Sequence, residues 1–279
     1  MHRLSVIIVN YKVKDLLLEC LARVRRAAEG LDVEVFVVDN ASFDGSTEAV
    51  ATFFPDVNYI QSAENVGFAK ANNIAIRKSD SQYILLLNPD LFIEDDTLRR
   101  VLAEADELEN LGAIGVRMID GDGKFLKESK RNRPTLWRSF CKIVGLTKLF
   151  PNSPLFASYY NVRLKESEKG RTDVLCGAFM LLNSAVLKEK ALLPECYFMF
   201  GEDVDLSVSI VDAGFYNYYL PITVTHLKGK SSNHRSRAYY EAFYGSMSIY
   251  VDRHSRCPLT KALVRIAVKV IIAVKLINN

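Results

Sequence analysis

Asp90, in the stretch YILLLNPD at 83–90, is the first residue whose position points to chemistry. Asn88, Pro89 and Asp90 all favour turns, so a turn is the simplest interpretation. Because Pro89 fixes the backbone just after an apolar run, it would also hold the carboxylate beyond the edge of a sheet. A hard oxygen ligand there suits a divalent cation that bridges a diphosphate. His226 is a candidate second ligand, although a lone His is more often structural.

An acidic group in FMFGEDVDLS, at 198–207, is the second candidate. Glu202, Asp203 and Asp205 lie at a predicted helix start, where the helix dipole stabilises acids without any function. The preceding Phe-Met-Phe-Gly is apolar, however, and would shield a carboxylate from water and raise its pKa. A general base that takes a proton from an incoming hydroxyl needs that environment.

Three further segments carry polar residues of the kind that bind nucleotides. Asn10 and Asp39 end predicted strands, and Asp39 either accepts hydrogen bonds from a base or ribose or caps the next helix. Asn65 and Gly67 open a helix in ENVGFAKANN at 64–73. A glycine there allows close backbone approach, and a helix N-terminus favours phosphate. Each signal is weak when taken alone.

Cations accumulate in two places. After His226, the run KGKSSNHRSRAYY offers cations and hydroxyls that suit phosphate oxygens of a donor or acceptor; the candidates are Lys230, Ser231, Ser232 and Arg235. Basic residues also crowd the first part of a weakly patterned segment, 124–171, which is predicted to be irregular and partly mobile. A solvated basic face is the simpler interpretation of that segment, and binding of an anionic acceptor is the alternative.

Alternating strand and helix patterns must position these residues. Continuous apolar runs indicate strands buried on both faces, as in a parallel sheet between helices. The predicted strands are 4–10, 33–40, 57–62, 83–88, 113–119, 174–182 and 215–226. Predicted helices cover 14–29, 67–78, 95–110 and 203–213, with others opening at Gly45 and Ser184. The fold class is therefore α/β.

Ligands bind at the carboxyl ends of the strands in open α/β sheets. Asn10, Asp39, Asn88 and His226 each end a predicted strand or follow it directly. We therefore expect these four side chains at one edge of the sheet, where they would surround a pocket with Asp90 and the acidic group.

Composition narrows the class of protein. The 279 residues are 49% hydrophobic and 25% charged, with a net charge of +3 that is too small to predict nucleic-acid binding. Five scattered cysteines predict reduced thiols in the cytoplasm. The N-terminus offers no secretory signal, and no apolar run is long enough to span a membrane. We expect one domain over 1–257, with a nucleotide-binding half (1–112) and an acceptor half (113–257).

Residues 258–279 are predicted to form a separate basic amphipathic helix. Lys261, Arg265 and Lys269 are four residues apart and share one helical face, with apolar residues on the rest. Packing against the domain with a solvated basic stripe is one interpretation. The other is a helix in the membrane interface, at the inner face of the cell membrane, whose cations meet anionic headgroups.

The motifs together resemble those of the inverting glycosyltransferases of family 2, which have the GT-A (Rossmann-like) fold, and within them the rhamnosyltransferase-like bacterial branch. The matching segments keep the family's order over about 4–232: VIIVNYK, VVDNASFDGS, ENVGFAKANN, LLLNPD, CGAFMLL, FMFGEDVDLS, AGF and HLKGKSS. The resemblance implies a nucleotide-sugar donor, Mg²⁺ or Mn²⁺, and a glycan or lipid-linked acceptor used in polysaccharide synthesis.

The same resemblance implies a role for each candidate residue. Asn10, Asp39, Asn65, Gly67 and Asn88 would contact the nucleotide. Asp90 and His226 would bind the metal beside the diphosphate. In the pair Glu202 and Asp203, Asp203 would be the catalytic base of an inverting transfer, which needs no covalent intermediate.

Two positions depart from the family pattern. The metal motif is Asn88-Pro89-Asp90, with one carboxylate in place of two, as is usual in this branch. Relatives commonly carry an arginine one helical turn after the position of Asp205, where this chain has Ser209.

Other functions fit less well. A dinucleotide-binding oxidoreductase needs G-x-G-x-x-G after the first strand, and VNYKVKD contains no glycine. A nucleotidyltransferase needs a glycine- and arginine-rich loop at the same place. A degenerate, membrane-associated transferase that binds nucleotide or glycan without turnover is the remaining alternative. The donor predicted from the resemblance is dTDP-rhamnose or a UDP-sugar.

Overall fold

A computed structural model describes residues 2–189, 192–227 and 236–277. The first half contains β1 (His2–Asn10), α1 (Lys14–Ala27), β2 (Val33–Asp39), α2 (Ser46–Phe53), β3 (Asn58–Gln61), α3 (Phe68–Ile76), β4 (Ser81–Leu87), β5 (Leu91–Phe92), α4 (Thr97–Glu107) and β6 (Leu111–Ile119). The second half contains β7 (Lys130–Arg131), α5 (Leu136–Ile143), α6 (Leu146–Leu149), β8 (Gly170–Arg171), β9 (Val174–Leu175), β10 (Phe179–Asn183), α7 (Ser184–Glu189), α8 (Glu202–Asp212), β11 (Tyr216–His226), α9 (Arg237–His254) and α10 (Pro258–Ile277).

Nine of the described strands form one mixed, mostly parallel sheet in the order β3-β2-β1-β4-β10-β6-β11-β5, with β8 beside β11. Strands β1 to β4 run parallel, and β10 is antiparallel to both β4 and β6. Because β10 is antiparallel to both of its neighbours, β6 runs in the same direction as β4 and β1. Strand β11 is parallel to β6 and therefore has this direction too. The carboxyl ends of β1, β2, β4, β6 and β11 therefore meet at one edge, which confirms the predicted α/β class.

The sheet separates two apolar cores, and successive residues of one strand enter opposite cores. In β4, Leu85 packs in the core that contains α1 and α4, and Leu86 packs in the core that contains α3 and α8. Ile7 and Ile8 of β1 alternate in the same way. Side chains of a strand alternate between faces, so a strand covered on both sides must be apolar at every position. This explains the continuous apolar runs.

The segment 124–171 is more ordered than its sequence indicates. It contains β7, α5, α6 and β8, so the prediction of irregular structure was wrong in part. The interpretation of a solvated basic face is also wrong for two residues, since Lys130 and Arg131 are buried. Lys130 donates through Nζ to the carbonyl of Asn161 at 2.7 Å. Buried cations need such partners, and only the folded chain brings them together.

Two elements differ from the predicted pattern near the C-terminal half of the sheet. The run 174–182 is not one strand, because β9 pairs with β7 in a small separate sheet and β10 belongs to the main one. Helix α9 follows the last strand and packs against α10. Within the described residues, no helix is both long enough and apolar enough to cross a bilayer.

Candidate active site

A cavity of about 1350 Å³ opens at the carboxyl edge of the sheet. It joins the strand ends to the start of α8 and continues between α5 and α10. Its polar lining includes Asn40, Asn65, Asn88, Asp90, Arg131, Glu202, Asp203 and His226. Asp90 and Asp203 are therefore brought to the same cavity from positions that are distant in the chain.

Asp90 and His226 face each other on one wall of this cavity. The strand pairing that places them together is β5 with β11, in which His226 pairs with Leu91. His226 Nε2 lies 3.2 Å from Asp90 Oδ1, and both residues are buried. The Oδ1 atom has no hydrogen-bond partner among the described residues. A buried carboxylate oxygen without a hydrogen bond is costly unless a cation or a ligand reaches it.

The described residues contain no cluster of three or more His, Cys, Asp or Glu side chains placed to hold a metal. Two protein ligands are nevertheless enough for Mg²⁺ or Mn²⁺ in many nucleotide sites, where phosphate oxygens and water complete the shell. The donor set of one carboxylate and one imidazole therefore fits a divalent cation bound together with a diphosphate.

The acidic pair, Glu202 and Asp203, begins α8 after the left-handed Gly201. Burial of Glu202, and next the charge of Asp203, raise the pKa of Glu202 to about 8. Asp203 is in a different environment, since its Oδ2 accepts hydrogen bonds from Arg131 Nη2 at 2.6 Å and from the amide of Gly177 at 3.2 Å. The two adjacent carboxyl groups therefore lie in different electrostatic environments.

This geometry changes the predicted electrostatics of the pair. The apolar segment before α8 was expected to raise the pKa of a catalytic base, and Glu202 is the residue it affects. Arg131 was predicted only as a member of a basic run that is solvated or binds an anionic acceptor, not as a partner of Asp203. Burial by itself disfavours the charge of its guanidinium, but Asp203 outweighs that effect and raises the pKa of Arg131. Asp203 is thus the ion-pair partner of Arg131.

Asp205 forms a third buried carboxylate, with no exposed surface. Arg253 Nε donates to it at 2.6 Å, Tyr197 Oη donates at 2.9 Å, and His254 Nε2 lies 3.1 Å away. Burial alone would raise the pKa of Asp205, but these partners lower it. The cation that Ser209 cannot provide therefore comes from the end of α9, while Ser209 Oγ is 3.4 Å from the carboxylate.

The backbone of Gly67 does approach another group closely, as its position predicts. That group is the backbone of Phe198 and not a bound ligand. Its φ is +83°, and a Cβ added there would lie 2.4 Å from the carbonyl oxygen of Phe198. The amide of Phe68 donates to the same oxygen, so this first amide of α3 is already used. Asn65 Oδ1 accepts from the amide of Gly67. Both Asn65 and Gly67 line the cavity, beside the segment that carries the acidic pair.

Asn10 and Asp39 lie behind the cavity wall. Asn10 Nδ2 donates to Asp39 Oδ1 at 2.7 Å, and the amide of Ser42 donates to Asp39 Oδ2 at 3.0 Å. Both predicted residues are buried and neither lines the cavity. Instead they fix the chain around Asn40, which lines the cavity and binds the Gly67 carbonyl through Nδ2. Direct contact of Asp39 with a nucleotide base stays a prediction.

Asn88 lines the cavity beside Asp90, and its amide donates to the carbonyl of Ala178 in the chain before β10. The predicted phosphate or acceptor contacts at Lys230, Ser231, Ser232 and Arg235 lie outside the described residues.

Five residues have contacts in the structure that the sequence does not reveal: Arg131, Gly177, Tyr197, Arg253 and His254. Arg131 was visible as part of a basic run, and its partner could not be known without the fold. Gly177 belongs to CGAFMLL, one of the matching segments, but nothing in that segment indicates that its amide reaches Asp203.

Comparison with known sequences gives the class and family of this chain. Residues 5–189, more than half of the chain, match "Glycosyl transferase family 2". The chain belongs to this family and is a rhamnosyltransferase-like member of it. The predicted family and enzyme class are therefore confirmed, and turnover is favoured over the degenerate transferase that only binds its ligands.

Named relatives support the same branch. The N-acetylglucosaminyl-diphospho-decaprenol L-rhamnosyltransferase of Mycobacterium tuberculosis is 29% identical over 272 residues, which cover 92% of this chain and 87% of that protein. Rhamnosyltransferase WbbL of Escherichia coli is 25% identical over 227 residues, 77% of this chain and 80% of its own.

Solved structures confirm the GT-A fold. The mannosyltransferase PcManGT from Pyrobaculum calidifontis, in complex with GDP-Man and Mn²⁺, superimposes with a TM-score of 0.62 at 20% identity. The match covers 99% of this chain and 72% of PcManGT. S. aureus TarS gives a TM-score of 0.57 at 16% identity, over 94% of this chain and 69% of that chain.

Replacing Arg253 with Gln is expected to destabilise the protein, because Asp205 stays buried while it loses its principal cation. We expect a loss of about 1–2 kcal/mol in the free energy of unfolding, since Arg253 is partly exposed and two partners remain. Urea denaturation measures this loss. Arg256→Gln, three residues further on, is the control. Ser209→Arg in the Arg253→Gln background should recover part of the loss; an unchanged unfolding midpoint in Arg253→Gln would refute the interpretation.

Replacing Glu202 with Gln is expected to change how stability depends on pH. The pKa of Glu202 is raised from 4.5 to about 8, so the folded state binds more protons between these values. Stability of the wild type should therefore fall as the pH rises through this window, by at most about 1.4 kcal/mol per pH unit. Denaturation at pH 5.5 to 8.5 should show a flatter profile for Glu202→Gln. Glu64→Gln, on the surface, should keep the wild-type slope, and parallel profiles for all three proteins would contradict the assignment.

Proposed function

We propose that this protein is an inverting glycosyltransferase that moves a sugar from a nucleotide-diphosphate donor to a hydroxyl of a lipid-linked glycan acceptor. The reaction belongs to the synthesis of a cell-surface polysaccharide. The donor is dTDP-rhamnose or a UDP-sugar. The names of the Mycobacterium tuberculosis and Escherichia coli relatives support rhamnose, and the name of the former supports a lipid-diphosphate acceptor.

One observation carries this proposal: a single cavity contains both Asp90 with His226 and the acidic pair. An inverting transfer needs the leaving group and the attacking hydroxyl on opposite faces of the sugar. A site for a diphosphate on one wall and a base on another, with room for a sugar between them, meets that need.

Asp203 is the proposed base. Glu202 is protonated at neutral pH, because its pKa is about 8, and a protonated carboxyl cannot accept a proton. Asp203 forms an ion pair with Arg131, and its orientation is fixed by Arg131 and Gly177. It would deprotonate the acceptor hydroxyl as that oxygen attacks the anomeric carbon, while Glu202 limits the negative charge of the pair.

Asp90 and His226 are the proposed ligands of a divalent cation. When bound, the cation would offset the charge that develops on the departing diphosphate. Asn65, Gly67 and Asn88 would contact the nucleotide from the same part of the cavity, and Asn10 with Asp39 would support them from behind. The lining of the cavity and the unpartnered Oδ1 of Asp90 support this arrangement.

Helix α10 is proposed to lie against the inner face of the cell membrane. Its large apolar side chains are mostly exposed, including Leu263, Ile266 and Val270, while Val268 is buried. Cations share the same helix, and one of them, Arg265, pairs with Asp252 of α9. Exposed apolar residues beside cations suit a bilayer interface with anionic headgroups. Such a position would place the cavity where a lipid-linked acceptor is found.

Replacing Asp203 with Asn is expected to remove transfer and to leave nucleotide binding intact. Loss of a general base costs about 100-fold or more in rate. Transfer is measured as radiolabel that moves from dTDP-rhamnose, or a panel of UDP-sugars, into a bacterial lipid extract; binding is measured by thermal stabilisation with dTDP and UDP. Asp212→Asn is the matched control, since Asp212 is also an α8 acid paired with an arginine, Arg133. Transfer by Asp203→Asn at the wild-type rate would exclude it as the base.

Replacing Asp90 with Asn is expected to remove the cation-dependent part of nucleotide binding. In the wild type, dTDP or UDP with Mg²⁺ or Mn²⁺ should raise the melting temperature more than the nucleotide does in EDTA. The variant should show the same small stabilisation in both conditions, because its amide is a weak cation ligand. Asp122→Asn, in the exposed turn after β6, should behave as the wild type. A cation effect that survives in Asp90→Asn would show that the metal binds elsewhere.

A further inference from the structure

The cavity continues from the acidic pair into an apolar groove that the mechanism does not use. Its walls are α5 and α10, and it is lined by Leu136, Phe140, Ile143, Leu263, Val264 and Ile271. Leu136, Phe140 and Leu263 each expose about half of their surface, at 51%, 51% and 53%. Contiguous exposed apolar residues mark a site for a ligand or a membrane.

A cationic cluster lies where this apolar groove meets the acidic pair. Lys142, on α5, places Nζ 3.8 Å from the ring centroid of Tyr159, and in the part of the chain that the structure describes it forms no ion pair. Arg131 Nε is buried and has no hydrogen-bond partner among the described residues. Lys142, Tyr159 and Arg131 all line the cavity. Lys142 therefore lies beside Tyr159 in the cavity whose lining also contains the ion pair of Arg131 with Asp203.

The positive charge of this cluster affects the pKa of Tyr159. Burial alone would raise the pKa of Tyr159, but Lys142 and Arg131 outweigh burial and lower it. A phenol whose ionised form is favoured inside a protein lies in a positive local field. An anion brought to the same place would be stabilised by that field, and the unpartnered Nε of Arg131 and the ammonium of Lys142 are available as donors.

We propose that the cationic cluster and the apolar groove together bind the lipid-phosphate part of the acceptor, the phosphate at Lys142, Arg131 and Tyr159 and the hydrocarbon chain between α5 and α10. The inference rests on the proposed function, since it assigns a site to the acceptor named there. In this arrangement the phosphate of the acceptor lies next to Asp203, and its hydrocarbon chain extends toward the exposed faces of α5 and α10.

Two features favour this occupant over a phospholipid of the bilayer. Lys142 is half-buried inside the cavity and within the same cluster as Arg131, which binds the proposed base. The donor diphosphate is assigned to Asp90 and His226, so the cluster is a second anion site. An acceptor whose phosphate lies beside its sugar would present a hydroxyl to Asp203 when its chain occupies the groove.

Farnesyl diphosphate and farnesol are suitable probes, because they share a chain and differ in the phosphate. Trp137 is the single tryptophan of the chain, lies on α5 and has its ring 6.0 Å from that of Phe140. Its fluorescence therefore reports on occupation of the groove in the full-length protein without any labelled residue. We expect both probes to shift the emission, and farnesyl diphosphate to bind more tightly.

Lys142→Gln should weaken the binding of farnesyl diphosphate about ten-fold and leave the binding of farnesol unchanged. Only farnesyl diphosphate makes a charge-assisted hydrogen bond to Lys142. Lys148→Gln, an exposed lysine of α6 outside the lining, is the control and should change neither. Leu263→Ser should weaken the binding of both probes several-fold, because an apolar contact is lost. Its matched control is Ile266→Ser, because Ile266 is similarly exposed on α10 but does not line the cavity.

Several results would overturn the inference. They are equal affinities of Lys142→Gln and the wild type for farnesyl diphosphate, equal effects of Leu263→Ser and Ile266→Ser, and competition by UDP. Vesicles of phosphatidylcholine and phosphatidylglycerol at 3:1 test the other source of phosphate. If Lys142→Gln weakens vesicle binding as much as farnesyl diphosphate binding, the cluster contacts the bilayer instead. None of these assays contains a sugar donor, so their failure would leave the Asp203 result, and with it the proposed function, standing.

Discussion

The buried ion pair between Arg131 and Asp203 sets the chemistry of the whole site. Both side chains are largely removed from water, at 11% and 15% exposure, and separating such a pair leaves an uncompensated charge. Arg131 also donates to the carbonyl of Leu175, so the short sheet of β7 and β9 is tied to the start of α8. One interaction thus fixes the position of the acidic pair.

The neighbour of this ion pair, Glu202, has a different environment. Burial, and next the charge of Asp203, raise the pKa of Glu202 to about 8, and Arg131 offsets this only in part. Two residues that are adjacent in sequence therefore have different electrostatic surroundings. An acceptor phosphate at the cationic cluster would share Arg131 with Asp203 when the acceptor is bound.

The features that could be predicted from the sequence are those that depend only on the direction of the strands. Asp90 and His226 were expected to meet because each follows a strand of the same orientation, and the pairing of β5 with β11 brings them to 3.2 Å. Arg131 could not be found in this way, since β7 has two residues and shows no periodic pattern. Asp39 illustrates another limit: its position at a strand end was clear, but its orientation depends on the amides of Asn10 and Ser42, which only the folded loop supplies.

The C-terminal helices are connected to the site by the buried carboxylate of Asp205. Arg253 and His254, at the end of α9, reach Asp205 in the first turn of α8, two residues after the proposed base. Helix α10 packs against α9 and forms one wall of the apolar groove. A force on α10, from a membrane or a bound hydrocarbon chain, would therefore act on α8 through the contacts of Arg253 and His254 with Asp205. The C-terminal region is thus part of the site's construction, since α10 packs against α9 and lines the cavity.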